Sequence, residues 1–222
     1  MMKVLVVTGG IGSGKSSVCR LLSVKYGIPV YEADRRAKEL YSEIPSMLDQ
    51  METALGVSLR DDFGQFVPHR LSEVIFNDSE ALGRIEDILF PEMKKDAMRS
   101  VPKKRLLCGQ MKKDFATWAE GREVVAFESA TILEKPQFEG FGDITLLVDA
   151  PLSLRLTRTM ARDVVDETKV AMRMQAQPLM NSISEGRAFS RVDHIILNDS
   201  TFEKLEEKLD IFIEKSGLTK ML

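Results

Sequence analysis

Residues 3–16 read KVLVVTGGIGSGKS, a short Val-rich run followed by a glycine-rich loop that ends in lysine and serine. A short apolar run bounded by turn residues is typical of a buried strand. Residues 15–26 continue with Val18, Leu21 and Leu22 at helical spacing, and Gly27 ends the predicted helix. This succession of strand, loop and helix predicts the beginning of a parallel α/β sheet with right-handed crossovers.

The loop itself, residues 9–16, fits the pattern G-x-x-x-x-G-K-[ST] in full. Glycines let backbone N–H groups turn inward around phosphate oxygens, and the start of the following helix adds free donors. Lys15 would neutralise the β- and γ-phosphates of a nucleotide, and Ser16 would ligate Mg²⁺. The alternative is a glycine-rich turn that binds nothing. The sequence lacks the tetrapeptide N-K-x-D and the signature L-S-G-G-Q, which disfavours GTPases and transporter ATPases.

Four further apolar runs, at residues 28–31, 124–127, 144–148 and 194–197, predict the remaining strands. Five short strands separated by helical stretches favour a three-layer α/β/α fold of the P-loop NTPase type with a five-stranded parallel sheet. Residues 202–213 have the pattern of an amphipathic helix that packs on the sheet. Residues 61–118 contain no strand-like run, so we expect a helical insertion there, with residues 1–60 and 119–222 forming the core.

Length, charge and composition disfavour several classes of function. The chain has 222 residues, which corresponds to about one and a half domains. Its net charge of −3 disfavours a nucleic-acid binder. No apolar run approaches the ~18 residues of a membrane helix, so we expect no membrane partner. Cys19 would lie on the helix after the glycine-rich loop, where we expect a small buried packing residue. Cys19 and Cys108 are far apart in sequence, which fits a reducing cytoplasm. The sequence sets no oligomeric state.

Two carboxylates follow predicted strands at the edge where an α/β sheet binds its ligands. Asp34 comes after the second strand and could accept a hydroxyl proton during phosphoryl transfer. It could equally be the N-cap of the next helix. Glu128 follows the third strand, and a structural role and a role near Mg²⁺ or substrate are equally open. We place both among the candidate substrate-binding residues.

Arginines are concentrated in a segment that we expect to act as a lid, at about residues 152–170. Arg158 and Arg162 are four residues apart and would share one face of a helix. Guanidinium groups suit phosphates, and a closing lid would expel water from the reaction. The alternative is a solvated helix. The basic segment 94–105 could meet the diphosphate of an acceptor or could be a solvated helical face.

Taken in order, these segments resemble the dephospho-CoA kinase family of P-loop kinases. The resemblance runs over roughly residues 3–213 and rests on six stretches: TGGIGSGKSS, the A-D of YEAD, FGQFVPHRLSEVIFND, ARD, RMQAQ and DHIILND. It implies transfer of the γ-phosphate of ATP to the 3′-hydroxyl of dephospho-CoA, with Mg²⁺, as the last step of coenzyme A biosynthesis. Another small P-loop kinase and a nucleotide-gated binding module are the alternatives.

The resemblance also implies roles for individual residues. Asp34 resembles the catalytic base, Arg162 the lid arginine and Arg70 the arginine of a CoA-binding insertion. The stretch Gly12, Ser13, Gly14, Lys15, Ser16 and Ser17 resembles the ATP loop. Arg173 and Gln177 resemble the R-x-x-x-Q near the nucleotide, and Asn198 the late asparagine near the adenosine. The chain differs from common family residues at Glu32, Phe90, Ala130 and Val164.

Overall fold

A computed structural model of the protein describes residues 3–106, 124–135, 138–163, 166–175, 177 and 191–218. The chain divides into two compact units, one made of residues 1–31 and 105–222 and the other of residues 32–104. The expected core of residues 1–60 and 119–222 and the expected insertion of residues 61–118 stay a prediction. Residues 107–118 of the expected insertion lie outside the described residues.

The first unit is built on a five-stranded parallel sheet, as the apolar runs predict. Its strands are β1 (Lys3–Thr8), β2 (Val30–Glu32), β3 (Val124–Glu128), β4 (Ile144–Asp149) and β5 (His194–Leu197), in the spatial order β2-β3-β1-β4-β5. Strand β2 starts two residues later than predicted, because the N–H of Ile28 still bonds to Leu22 of the preceding helix and Pro29 has no N–H to donate. The carboxyl ends of β1, β3 and β4 are in register, which brings the loops that follow them together.

One face of β1 packs against two helices, because alternate side chains along a strand share a face. Leu5 and Val7 lie in a buried cluster with α1 (Lys15–Tyr26) and α8 (Phe202–Lys215). The two helices are also joined at the surface, where Lys25 and Tyr26 both donate hydrogen bonds to Asp210. Two more helices, α6 (Leu152–Asp163) and α7 (Glu167–Gln175), lie between β4 and β5 in the chain. Cys19 is 4% exposed, which confirms the predicted packing role of this thiol.

The second unit is helical. It contains α2 (Ala33–Glu43), α3 (Pro45–Leu55), α4 (Pro68–Asn77) and most of α5 (Ser79–Leu106). Its buried apolar side chains come from all four helices, including Leu40, Met51, Leu71 and Phe90. Phe90 is therefore a core residue of this unit.

Two arginines show why this unit begins at residue 32 rather than at the expected boundary after residue 60. The Arg36 side chain of α2 pairs with Asp96 of α5 at 2.7 Å. The Arg60 side chain pairs with Asp49 of α3 at 2.6 Å, and Arg60 also forms an isolated antiparallel bridge with Phe66. Arg36 therefore ties α2 to α5, and Arg60 ties α3 to the turn at Phe66, which lies within the expected insertion.

Candidate nucleotide-binding site

Residues 9–14 form the turn between β1 and α1 that the phosphate-loop motif predicts. Lys15 lies at the first helical position and is 9% exposed. Its Nζ donates hydrogen bonds to the carbonyl oxygens of Gly9 at 2.8 Å and Gly10 at 3.3 Å. The first N–H groups of α1 have no acceptor within the helix. The ammonium group and these amides together make the loop a site for phosphate oxygens.

Three polar side chains that follow β4 in the chain hold the loop from outside. Gln177 accepts a hydrogen bond from the N–H of Ile11 at 2.9 Å, and Arg155 Nε donates to the carbonyl of Ile11 at 3.0 Å. Asn198 Nδ2 donates to the carbonyl of Ser13 at 2.9 Å. Gln177 and Asn198 are 7% exposed and Arg155 is 1% exposed. The loop backbone is therefore fixed by residues that are more than 140 positions away in sequence.

Close packing explains why the loop needs glycine at two positions. Gly12 and Gly14 have φ angles of +77° and +99°, which L side chains rarely adopt. A Cβ at Gly12 would lie 2.3 Å from the carbonyl oxygen of Arg155. A Cβ at Gly14 would lie 2.1 Å from Nδ2 of Asn198. Arg155 and Asn198, which hold the loop, thus also leave no room for a larger residue at Gly12 and Gly14.

Two oxygen-bearing side chains, those of Glu128 and Ser16, lie near Lys15 of the loop. Glu128 ends β3, and its Oε1 lies 3.9 Å from Nζ of Lys15, with 14% of the Glu128 side chain exposed. Ser16 is exposed at the start of α1. Hydroxyl and carboxylate oxygens are ligands that Mg²⁺ accepts. Within the described ranges no cluster of three or more His, Cys, Asp or Glu could hold a metal, so a cation here would take further oxygens from nucleotide and water.

Helix α6 presents two arginine-bearing faces with different surroundings. Arg155 and Thr159 are buried at 1% and 0% exposure against the loop, so the first half of the expected lid packs on the nucleotide site. Arg158 donates to the carbonyl of Asn198 at 3.1 Å. Arg162 is 59% exposed in its side chain and binds Asp163 through Nε at 2.7 Å. That hydrogen bond raises the pKa of Arg162, which keeps the group charged.

The remaining expected site residues lie on other elements. Arg173 is on α7. In the second unit, Asp34 is exposed in the first turn of α2. The N-cap interpretation of Asp34 is wrong, because α2 begins at Ala33 and Glu32 occupies the N-cap position. Arg70 is exposed on α4 and donates to the carbonyl of Arg60.

Arg155 lies in the segment that the sequence predicts to be a lid, and no local signal marks it as a site residue, although its Nε contacts the loop directly. Its spacing to Thr159 is four residues, the same as that of Arg158 and Arg162. Periodicity shows that each pair shares a face but does not show which face is buried. Thr159 Oγ1 donates to the carbonyl of Arg155 at 2.8 Å, which completes the buried pair.

Comparison with known proteins identifies the family. The sequence model of dephospho-CoA kinases matches residues 3–204, which is most of the chain. The chain belongs to the dephospho-CoA kinase family. A curated dephospho-CoA kinase from Porphyromonas gingivalis is 34% identical over 194 residues, which cover 86% of this chain and 84% of the relative. This confirms the resemblance and makes the chain a kinase of this family.

Solved structures agree with the fold of a dephospho-CoA kinase. A crystal structure from Thermus thermophilus superposes with a TM-score of 0.71 at 26% identity, covering 96% of this chain and 97% of that one. The dephospho-CoA kinase from Campylobacter jejuni superposes with a TM-score of 0.59 at 19% identity, covering 97% of each chain, and supports the fold alone. In the part of the chain that the structure describes, no helix is long and apolar enough to cross a membrane.

Proposed function

We propose that this chain transfers the γ-phosphate of ATP to the 3′-hydroxyl of dephospho-CoA, giving ADP and coenzyme A. The observation that carries the proposal is the phosphate loop, in which the buried Lys15 lies beside Glu128 in a chain of the dephospho-CoA kinase family. Membership of the family indicates dephospho-CoA as the acceptor, and the loop motif indicates that the chain binds a nucleoside triphosphate.

Binding of ATP is assigned to residues 12–17. The amides that open α1 and the ammonium group of Lys15 would surround the β- and γ-phosphates. Gln177 and Asn198 act on the nucleotide through the loop backbone that they hold at 2.9 Å. Arg173 is proposed to contribute near the nucleotide from α7. Because the loop is already held in place, binding would require little ordering of the backbone.

Mg²⁺ is proposed to bind between the loop and the nucleotide, with the hydroxyl of Ser16 as a protein ligand and Glu128 close by. When bound, the cation neutralises charge that develops on the phosphate oxygens during transfer. Glu128 Oε1 lies 3.9 Å from Nζ of Lys15, so a carboxylate and an ammonium group lie close together beside the position proposed for the cation.

The acceptor side is assigned to the second unit. Asp34 would take the proton of the 3′-hydroxyl while that oxygen attacks the γ-phosphorus and the bond to ADP breaks. Arg70 and the helical insertion are proposed to bind dephospho-CoA. Arg162, exposed at the end of α6, would exchange Asp163 for the transferring phosphoryl group, where its fixed charge stabilises the transition state. We place the reaction in the cytoplasm, supported by the two cysteines, Cys19 and Cys108, which are far apart in sequence as in proteins of a reducing compartment.

The proposal is tested by incubating the purified protein with ATP, Mg²⁺ and dephospho-CoA and detecting coenzyme A by mass spectrometry. Adenosine, shikimate and gluconate serve as competing acceptors in parallel reactions. We expect coenzyme A and ADP in equal amounts, with little turnover of the other acceptors. ADP formation from another acceptor, with no coenzyme A from dephospho-CoA, would overturn the proposal.

The role of Asp34 is tested by Asp34→Asn. A missing general base lowers transfer by about 10²–10⁴-fold, so kcat should fall by that factor while ATP affinity changes little. Asp62→Asn is the matched control, because Asp62 is also an exposed carboxylate of the second unit. Near-normal turnover of Asp34→Asn would remove this residue from the base role.

A further inference from the structure

Arg155 of α6 is the largest fully buried side chain among the described residues, with 1% of its surface exposed. Arginine is almost never fully buried unless its charge is paired. The guanidinium keeps its charge in proteins at any ordinary pH. A buried arginine at this position therefore needs a reason beyond packing.

The contacts of Arg155 account for only part of its hydrogen-bonding capacity. Nε donates to the carbonyl of Ile11 at 3.0 Å. Nη2 is buried and has no hydrogen-bond partner among the residues that the structure describes. A Cβ at Gly10 would lie 2.0 Å from this Nη2 atom, so the unpaired donor is directed at the phosphate loop. The guanidinium thus lies directly behind the Gly10–Ile11 segment of the loop.

The negative charge near the Arg155 guanidinium balances its positive charge only in part. Burial lowers the pKa of Arg155, and the Asp149 carboxylate opposes that shift. Asp149 already accepts a hydrogen bond from the N–H of Ala150 at 2.8 Å. Lys15 binds the carbonyl oxygens of Gly9 and Gly10 in the same loop. Two positive charges therefore contact residues 9–11, and an anion bound in the loop would interact with both.

We propose that Arg155 is a positioning residue of the nucleotide site, which holds the Ile11 carbonyl away from the phosphates and strengthens their binding by its charge. The inference rests on the proposed ATP site but not on the identity of the acceptor. Arg155 acts through the loop and through space and does not contact the nucleotide. Its contribution should therefore grow with the number of phosphates, because a charge attracts each further negative charge placed near it.

The experiment compares Arg155→Lys with Arg155→Gln. Both replacements carry a hydrogen-bond donor, but only lysine keeps the charge. Dissociation constants for ATP, ADP and AMP are measured by displacement of a fluorescent nucleotide, and thermal unfolding reports folding. A unit charge acting across several ångströms at intermediate dielectric changes affinity roughly tenfold. We expect Arg155→Gln to weaken ATP by about tenfold, ADP less and AMP within about twofold, whereas Arg155→Lys keeps most of the ATP affinity.

Arg20→Gln is the matched control, because it removes one exposed positive charge from α1 of the same unit. It should leave all three affinities unchanged. A folded Arg155→Gln protein that loses affinity equally for ATP, ADP and AMP would show that Arg155 only shapes the loop. Unchanged affinities, or failure of both variants to fold, would likewise overturn the proposal. Because only nucleotide binding is measured, these outcomes remain distinct from failure to phosphorylate dephospho-CoA.

Discussion

The replacement Gly14→Ala tests whether the end of β5 holds the phosphate loop as the structure shows. Gly14 has a φ angle of +99°, and a Cβ there would lie 2.1 Å from Nδ2 of Asn198. The added methyl group must therefore strain the backbone and displace the Asn198 side chain, breaking its 2.9 Å hydrogen bond to the carbonyl of Ser13. Either effect alone lowers stability, and both act on the nucleotide site.

The magnitude follows from these two contributions. A left-handed conformation costs a residue with a Cβ about 1–2 kcal/mol. Leaving a buried hydrogen-bond partner unsatisfied costs about 1–3 kcal/mol. We expect Gly14→Ala to lower the free energy of unfolding by about 2–5 kcal/mol. Urea unfolding followed by far-ultraviolet circular dichroism measures the change, and nucleotide titration should show weaker ATP binding.

Gly27→Ala is the matched control at the other end of α1. Gly27 has a φ angle of +64°, but a Cβ there would meet nothing within 4 Å. It should show the backbone cost alone, leaving a difference of about 1–3 kcal/mol that belongs to Asn198. In the double variant Gly14→Ala with Asn198→Ala, the two losses should not add, because the collision is gone. An equal loss in Gly14→Ala and Gly27→Ala would refute the reasoning.

Three further predictions concern ion pairs. Arg36→Met removes the half-buried contacts of Arg36 with carboxylates of α2 and α5 and should lower the free energy of unfolding by about 1–2 kcal/mol. The hydrogen bond from Lys25 lowers the pKa of Asp210 in the folded protein. The resulting stabilisation is present above the pKa of the unfolded chain and is lost as pH falls through the lower pKa of the folded protein. The free energy of unfolding of Asp210→Asn should therefore fall less steeply with decreasing pH below about pH 5 than that of the wild type. Arg162→Ala should lower kcat about 10²-fold or more with less effect on ATP affinity.

Each of these predictions has a control in the chain. Arg35→Met removes the ion pair of Arg35 with Glu32, in which the Arg35 side chain is 61% exposed, and should change the free energy of unfolding little. Equal losses of stability in Arg35→Met and Arg36→Met would contradict the first prediction. A pH profile of Asp210→Asn that matches wild type between pH 5 and pH 2 would contradict the second. Equal losses of kcat and of ATP affinity in Arg162→Ala would show that Arg162 binds ground-state nucleotide instead.

Local sequence determined the framework of the nucleotide site. The apolar run of β1, the glycine-rich loop and the helical spacing after Lys15 each follow from short-range preferences, and the structure confirms all three. The five strands and the closing helix likewise follow from local sequence, because each strand is a short apolar run and the helix has an amphipathic pattern. The role of Cys19 as a buried packing residue follows in the same way.

Other features depended on contacts between distant residues. The sequence contains Arg155 and Arg162 on one predicted helix, but only packing against Ile11 and Gly12 decides that the first is buried while the second stays exposed. The N-cap of α2 is Glu32 rather than Asp34, a difference of two residues that periodicity does not resolve.

The chain by itself therefore determined the phosphate loop, the parallel sheet and the family, because strand, loop and helix signals lie within a few residues of one another. Tertiary structure decided how the loop is held. Asn198, Gln177 and Arg155 reach it from more than 140 positions away, and hydrogen bonds at 2.9–3.0 Å form only when the sheet brings the loops that follow its strands to one edge. No local pattern encodes that convergence, since it results from the strand order β1-β4-β5.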